Sequence, residues 1–311
     1  MTKQLKADIA LLLVTIGWGA SFILTKNSLA ELPTYNFLAI RFFLAFFIST
    51  AIYYKRMIRI DKDTLKYGLI LGVLLYAHYA FQTVGLNYTT ASKSAFITGL
   101  NVILVPIFSA VLLKNIPDKK VRISATLAMI GLALLTLNQK LGGINIGDIY
   151  TLICAVLFAF YIILVGKYTK DVDSVSMAII QLGLVGLFST ITSFVLKENL
   201  TLTVSVGGWI NITILAVVCT SGAFIVQSVA QKFTTPNHTA LIYTGEPVFA
   251  GVFGFLFYGE RLGIKGTLGA LLIVSGMLMA EVDFKKIFSK NKKNESTESN
   301  ESTESNELTE G

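Results

Sequence analysis

The stretch QTVGLNYTTASKSAFITGLNVILVPIFSAVLLKNIPDKKVRISATLAMIG, Gln82 to Gly131, decides the fold, because the chain contains it twice. It lies without a gap over QSVAQKFTTPNHTALIYTGEPVFAGVFGFLFYGERLGIKGTLGALLIVSG, Gln227 to Gly276, at a constant offset of 145 residues (227 − 82). Identities fall at Gln82/Gln227, Thr89/Thr234, Thr90/Thr235, Ala95/Ala240, Ile97/Ile242, Phe108/Phe253, Lys120/Lys265 and Gly131/Gly276. The apolar matches follow from composition alone. The polar ones at fixed register need a duplication. Duplicated halves of opposite topology are the build of alternating-access transporters.

Outward from that stretch, the rest of the 311 residues reads as membrane protein. Hydrophobic residues make up 53% and charged residues only 14%, against roughly 25% charged in a soluble domain. Mean hydropathy is +0.66. Apolar runs recur at about 8–26, 35–54, 66–85, 94–113, 121–138, 148–166, 176–196, 209–231, 239–258 and 265–282, each close to the ~20 residues that a helix needs to cross ~30 Å of hydrocarbon. Strands of a β-barrel would alternate in polarity and be about half as long. The expected fold is therefore an all-α polytopic membrane protein with ten transmembrane helices in two inverted five-helix repeats. The expected units are 1–138 and 139–284, followed by a disordered cytoplasmic tail, 285–311, whose repeated NESTES is acidic, polar and free of aromatics.

Charge sets the expected orientation. With the N-terminus in the cytoplasm, 19 of the 26 Lys and Arg fall in inner segments and 6 in outer ones, with Arg41 inside the second span. The positive-inside rule then places both termini in the cytoplasm and the protein in the cell membrane. The net charge of +7 comes from these inner loops, so nucleic-acid binding is not needed to explain it. An odd number of spans per half makes the second half enter from the opposite side: Lys120 is inner and its mate Lys265 outer. Cys154 and Cys219 fall inside spans, with neither metal-ligand nor disulfide spacing. No nucleotide-binding G-x-x-x-x-G-K-[ST] occurs, and no cofactor is expected.

Several separated motifs resemble one family. Ala240 to Ala250 with Glu246-Pro247, then Tyr258-Gly259-Glu260-Arg261-Leu262, then Gly269 to Gly276, resemble the second EamA repeat of the drug/metabolite transporter superfamily. Gly17-Trp18-Gly19-Ala20-Ser21-Phe22 with Lys26, and Ala39 to Ala45 around Arg41, resemble the start of the first repeat; Gly147-Asp148 with Phe158 to Tyr161 resembles the start of the second. The resemblance spans 8 to about 282. It implies a 5+5 inverted arrangement around a central cavity, with spans 5 and 10 at the periphery or at a homodimer contact. Members export amino acids, drugs and other metabolites, and some import small solutes. The acidic positions do not repeat: Asn101 stands where the second half has Glu246, and Asn115 where it has Glu260.

Ionisable groups inside a bilayer are costly, about 2.5–3.5 kcal/mol each on insertion scales, and are functional candidates for that reason. Glu246 can bind a cation or carry a proton; the alternative is a structural carboxylate paired with Arg41. Arg41 can attract an anion, or snorkel and fix packing. His78 shares a helix face with Gln82, and can bind solute, relay protons or simply pack. Gln82 and Gln227 are expected to reach the cavity from both halves, or to bond between helices. Asn101 joins them as the mate of Glu246. Trp18, Tyr79, Phe158, Tyr161 and Tyr243 can form an aromatic wall suited to cations. Glu260 reads as a structural charge near Arg261 and Lys265. Pro106 and Pro247 are expected to bend spans 4 and 9.

The function expected from these residues is secondary transport of a small organic metabolite (an amino acid, amine or drug-like solute) by alternating access, in the export direction, with proton exchange through Glu246 or His78 as one energy source. Uptake of a small polar or cationic solute remains open, as does a membrane scaffold or sensor without transport. An intramembrane enzyme would need paired catalytic groups, and two histidines without an H-E-x-x-H pattern do not supply them.

Overall fold

The computed structural model describes residues 2–89, 91–114, 116–136, 145–198, 201–258 and 263–281. Glu260, Arg261, Lys140, Asn115 and the tail 285–311 lie outside the described residues. Within them the chain is helical: α1 Lys3–Leu29, α2 Thr34–Ile52, the short α3 Tyr54–Met57, α4 Lys62–Tyr88, α5 Ala91–Gly99, α6 Asn101–Leu112, α7 Lys119–Thr136, α8 Ile146–Tyr168, α9 Ser174–Val195, α10 Val206–Ala216, a π-helical turn Val217–Gly222, α11 Ala223–Ala230, α12 Pro236–Tyr243, α13 Glu246–Tyr258 and α14 Ile264–Glu281. Seven of these helical stretches are long and apolar enough to cross a membrane, among them Ser94–Leu112 and the continuous Val206–Ala230; Ile264–Ala280 is a shorter apolar helix.

Helix starts follow local chemistry. Asp61 accepts from the Thr64 amide at 2.8 Å, and Ser205 accepts from the Gly208 amide at 3.0 Å. Asn145 and Asp148 close a reciprocal capping box on α8. Thr235 caps α12, with Pro236 as its first residue, where the missing N–H costs nothing. Asp173 caps α9 and meets Arg56 at 2.8 Å. Burial alone would raise the Asp173 pKa. Hydrogen bonds from Ser176 and the Arg56 charge outweigh it, and the net shift is downward. A depressed carboxylate contributes stability above its unfolded pKa and loses it as pH falls through the folded one. Asp173→Asn should therefore lower the melting temperature slightly at neutral pH, where the carboxylate contributes, and flatten its fall toward acid.

Large apolar side chains are exposed over much of the surface, and polar ones are buried within a hydrophobic core. Val111 is 73% exposed, whereas Gln181, Gln227 and Gln231 are fully buried, the distribution expected when lipid is the solvent. The helix contacts are α2 with α9, α7 with α14, and α12 with α6. α4 packs on α8 and α9, while α1 packs on α10, α11, α12 and α13. The α7–α14 seam is backbone on backbone. A Cβ on Gly131 would sit 2.6 Å from the Gly269 carbonyl and 2.8 Å from the Ile273 amide, neither of which can swing away. Gly131→Ala should cost about 1–3 kcal/mol of overpacking, read as a lower detergent melting temperature.

The helical stretches 91–112 and 236–258 are each broken. α5 gives way to α6 at Leu100, and α12 to α13 at Thr244-Gly245; Leu100 and Gly245 are 145 residues apart. The breaks precede the prolines. Pro106 continues inside α6, and Pro247 is the second residue of α13, following Glu246.

Candidate functional site

The break before α13 places Glu246 in its first turn, where the helix dipole favours a negative charge. α1 passes close enough to meet it only because of Gly19. A Cβ there would lie 2.7 Å from Phe249 Cβ and 3.0 Å from the Glu246 carbonyl oxygen. That approach brings Trp18 and Ser21 of α1 to a buried cavity whose other lining residues are His78, Tyr79 and Gln82 of α4, Thr98 of α5, Phe158 of α8 and Glu246. Both halves contribute to its wall. Its free space is ≈ 20 Å³, about enough for one water.

Glu246 is 9% exposed, and no hydrogen bond or ion pair among the described residues ends on its carboxylate. Aromatic faces surround the cavity. The Trp18 ring lies 4.9 Å from Tyr243, 5.5 Å from Phe224 and 5.7 Å from Phe158. His78 stacks on Phe158 at 4.5 Å and meets Tyr79 edge-on at 5.0 Å. His78 Nδ1 is 3.2 Å from both the carbonyl oxygen and Sγ of Cys154, so one ring nitrogen is tied to α8.

Arg41 does not pair with Glu246. It is 2% exposed, donates from Nε to Thr220 Oγ1 at 2.8 Å, and sets its guanidinium 5.2 Å from the Tyr79 ring centroid and 5.6 Å from that of Phe42. Thr220 lies in the π-helical turn, and its neighbours are held as well. Trp18 Nε1 donates to the Cys219 carbonyl at 2.9 Å, and Ser221 shares a 2.6 Å hydroxyl bond with Ser49. Three consecutive π-turn residues are thus fixed by α1 and α2. Such insertions recur at functional sites.

Of the nine residues singled out in the sequence for binding, Trp18, His78, Tyr79, Gln82 and Glu246 meet at the cavity. Tyr243 stands behind Trp18. Tyr161 turns away and donates to Gln181 Oε1 at 2.7 Å. Gln227 donates to Gln231 Oε1 at 3.1 Å instead of facing Gln82. Asn101 is buried beside the first break, and its Oδ1 has no partner. Ser21 and Thr98 line the cavity and were not singled out. Thr98 stands next to the Gly99-Leu100 break, and Gly99 was the signal available.

One family model, described as the EamA-like transporter family, matches the chain over residues 5–137 and again over 145–281. The chain belongs to the EamA-like transporter family. An uncharacterized transporter of Archaeoglobus fulgidus is 30% identical over 288 residues, covering 90% of this chain and 87% of the relative. The uncharacterized transporter YyaM of Bacillus subtilis is 26% identical over 292 residues, covering 89% and 94%. A solved crystal structure superposes with a TM-score of 0.75 at 18% identity, over 88% of this chain and 96% of the other; that likeness concerns the fold. As an EamA-like protein with several apolar membrane-spanning helices, the chain is a membrane transporter.

Proposed function

We propose that this EamA-like chain is a ten-span secondary transporter that moves a small, cationic organic metabolite out of the cell by alternating access. The observation that carries the reading is the unpaired Glu246 carboxylate at a helix break, facing a ring-lined cavity between the two halves. A carboxylate attracts an ammonium, and the rings of Trp18, Tyr79 and Phe158 hold it through their faces. His78, Gln82, Ser21 and Thr98 supply the neutral polar contacts that orient a solute.

Two inverted halves are supported by the double family match and by which helix ends meet. Lys26, near the end of α1, donates to the Thr89 carbonyl at 3.1 Å, and Thr89 donates to Asp148 at the start of α8 at 2.8 Å. Gln4, at the start of α1, meets His238 at the start of α12 at 3.1 Å. Helices α1 and α8 therefore begin at opposite ends, as inverted mates do. A cavity of ≈ 20 Å³ is far below the ~300–1,000 Å³ of ligand pockets, so the cycle includes states in which this site is wider. Export is taken from the family resemblance.

Purified protein in liposomes, given outward or inward gradients of labelled amines, amino acids and organic anions, tests the reading. Gradient-driven flux of amines, competed by other amines, is expected. Flux of anions only would refute the cationic substrate. No flux of any solute would refute transport by this chain alone.

A further inference from the structure

The contact between Thr89 and Asp148 has a repeat mate, and the mate is not made. Thr89 corresponds to Thr234 at the offset of 145 residues. At the helix that opens each half, Ala7-Asp8-Ile9 of α1 corresponds to Gly147-Asp148-Ile149 of α8 at an offset of 140. The same register pairs Trp18 with Phe158, which touch across the cavity. Thr234 and Asp8 are therefore the pair that Thr89 and Asp148 become when the two halves are exchanged.

The two ends differ in the structure. At the Thr89 end, Thr89 Oγ1 donates to Asp148 Oδ1 at 2.8 Å, and the Asn145 amide donates to Asp148 Oδ2 at 2.9 Å. Here α4 and α8 touch through backbone: a Cβ on Gly147 would sit 2.7 Å from the Gly85 carbonyl oxygen. The other end lies near the start of α1. Asp8 is eighteen residues before Lys26, about 27 Å along the helix. There Asp8 and Thr234 are 5% and 6% exposed. Both Asp8 carboxylate oxygens and Thr234 Oγ1 are buried with no hydrogen-bond partner. The mates of Gly147 and Gly85, Ala7 and Ala230, line an open groove of ≈ 460 Å³ between α1 and α11.

Buried polar atoms are almost always bonded, and each orphan costs free energy. Three at one end, opposite a repeat mate that is fully bonded, fit a chain whose symmetric counterpart state pairs them. We infer that Asp8 and Thr234 form a latch that closes the α1–α11 end when the Thr89–Asp148 latch at the other end is released. The inference rests on the alternating-access reading. Gln4, four residues before Asp8, meets His238, four residues after Thr234, at 3.1 Å, so the segments flanking the two latch residues are already together. That contact joins α1 to the start of α12, just beyond Thr234.

Paired cysteines test it in full-length protein with Cys154→Ala and Cys219→Ala. One pair is Thr89→Cys with Asp148→Cys, the other Asp8→Cys with Thr234→Cys, each treated with a short thiol cross-linker in membranes. The first pair should cross-link readily. The second should cross-link when the first is free, and about tenfold or more slowly once the first is fixed. Equal rates with the first pair fixed or free would overturn the latch. So would no reaction at the second pair in a protein whose Ser21→Cys is labelled from both membrane sides in turn, a result that leaves alternating access standing. Labelling of Ser21→Cys from one side only, in every condition, would overturn alternating access and the latch together.

Discussion

Glu246→Gln should lower the transport rate of a cationic substrate by about 10- to 150-fold, the ~1.5–3 kcal/mol that a hydrogen bond to a charged group is worth. The two side chains have nearly the same shape, so the α1–α13 approach at Gly19 and the break at Thr244-Gly245 stay as they are. What changes is the charge. In the wild type no described side chain neutralises it, because Arg41 is bonded to Thr220 and faces the Tyr79 ring. Glu246→Asp keeps the charge and draws it back by one methylene, so it should retain part of the flux. The measurement is initial-rate uptake into proteoliposomes, normalised to folded protein. Full activity in the Gln variant would make Glu246 a structural residue of the helix start.

Trp18→Ala should cost about 3–5 kcal/mol of stability, seen as a large drop in melting temperature in detergent. Trp18 is 4% exposed and packs against Phe158, Phe224 and Tyr243, which come from three different helices. Removing the indole opens a hole among them and leaves the Cys219 carbonyl of the π turn without its donor. Lipid is as apolar as the side chains, which weakens the transfer contribution; lost packing carries most of the effect. Trp18→Phe keeps the ring contacts but not the N–H, and should cost about 1 kcal/mol. Equal losses in the two variants would mean that the hydrogen bond, and not the ring packing, holds α1 to the π turn.

The membrane fold was legible because apolar runs of spanning length and a repeated register survive in one sequence. The same offset of 145 that aligns Gln82 with Gln227 also aligns the two helix breaks at Leu100 and Gly245. The breaks fall just before the prolines: Leu100 is six residues ahead of Pro106, and Gly245 is two ahead of Pro247, which takes the second position of α13, where a missing N–H costs nothing. The π turn was not legible. VVCTSG has helical-compatible composition, and the bonds from Trp18, Arg41 and Ser49 that hold it come from distant segments.

The candidate site was legible in part, for a reason visible at one pair. Gln82 and Gln227 are repeat mates, yet only Gln82 lines the cavity. Gln227 is captured by Gln231, and the first half has Leu86 at the position matching Gln231. Tyr161 is likewise captured by Gln181, twenty residues on. A polar residue in a span satisfies the partner within reach, and identity of register between halves does not carry identity of role. A structural pair with Arg41 was one alternative for Glu246 in the sequence, because an ionisable group inside a span calls for a partner. Hydroxyls and ring faces serve Arg41 instead, which leaves Glu246 to the cavity.

The most direct test is ligand-induced thermal stabilisation of the purified protein against a panel of amines, amino acids, organic anions and neutral sugars, run in parallel on wild type and Glu246→Gln. A ligand held only by the folded state adds about 2.7 kcal/mol at 100 times its dissociation constant. Stabilisation of the wild type by cationic amines, lost in Glu246→Gln while the variant's own unliganded melting temperature holds, is the predicted result. Stabilisation by anions, or by amines equally in both proteins, would contradict a cation site at Glu246.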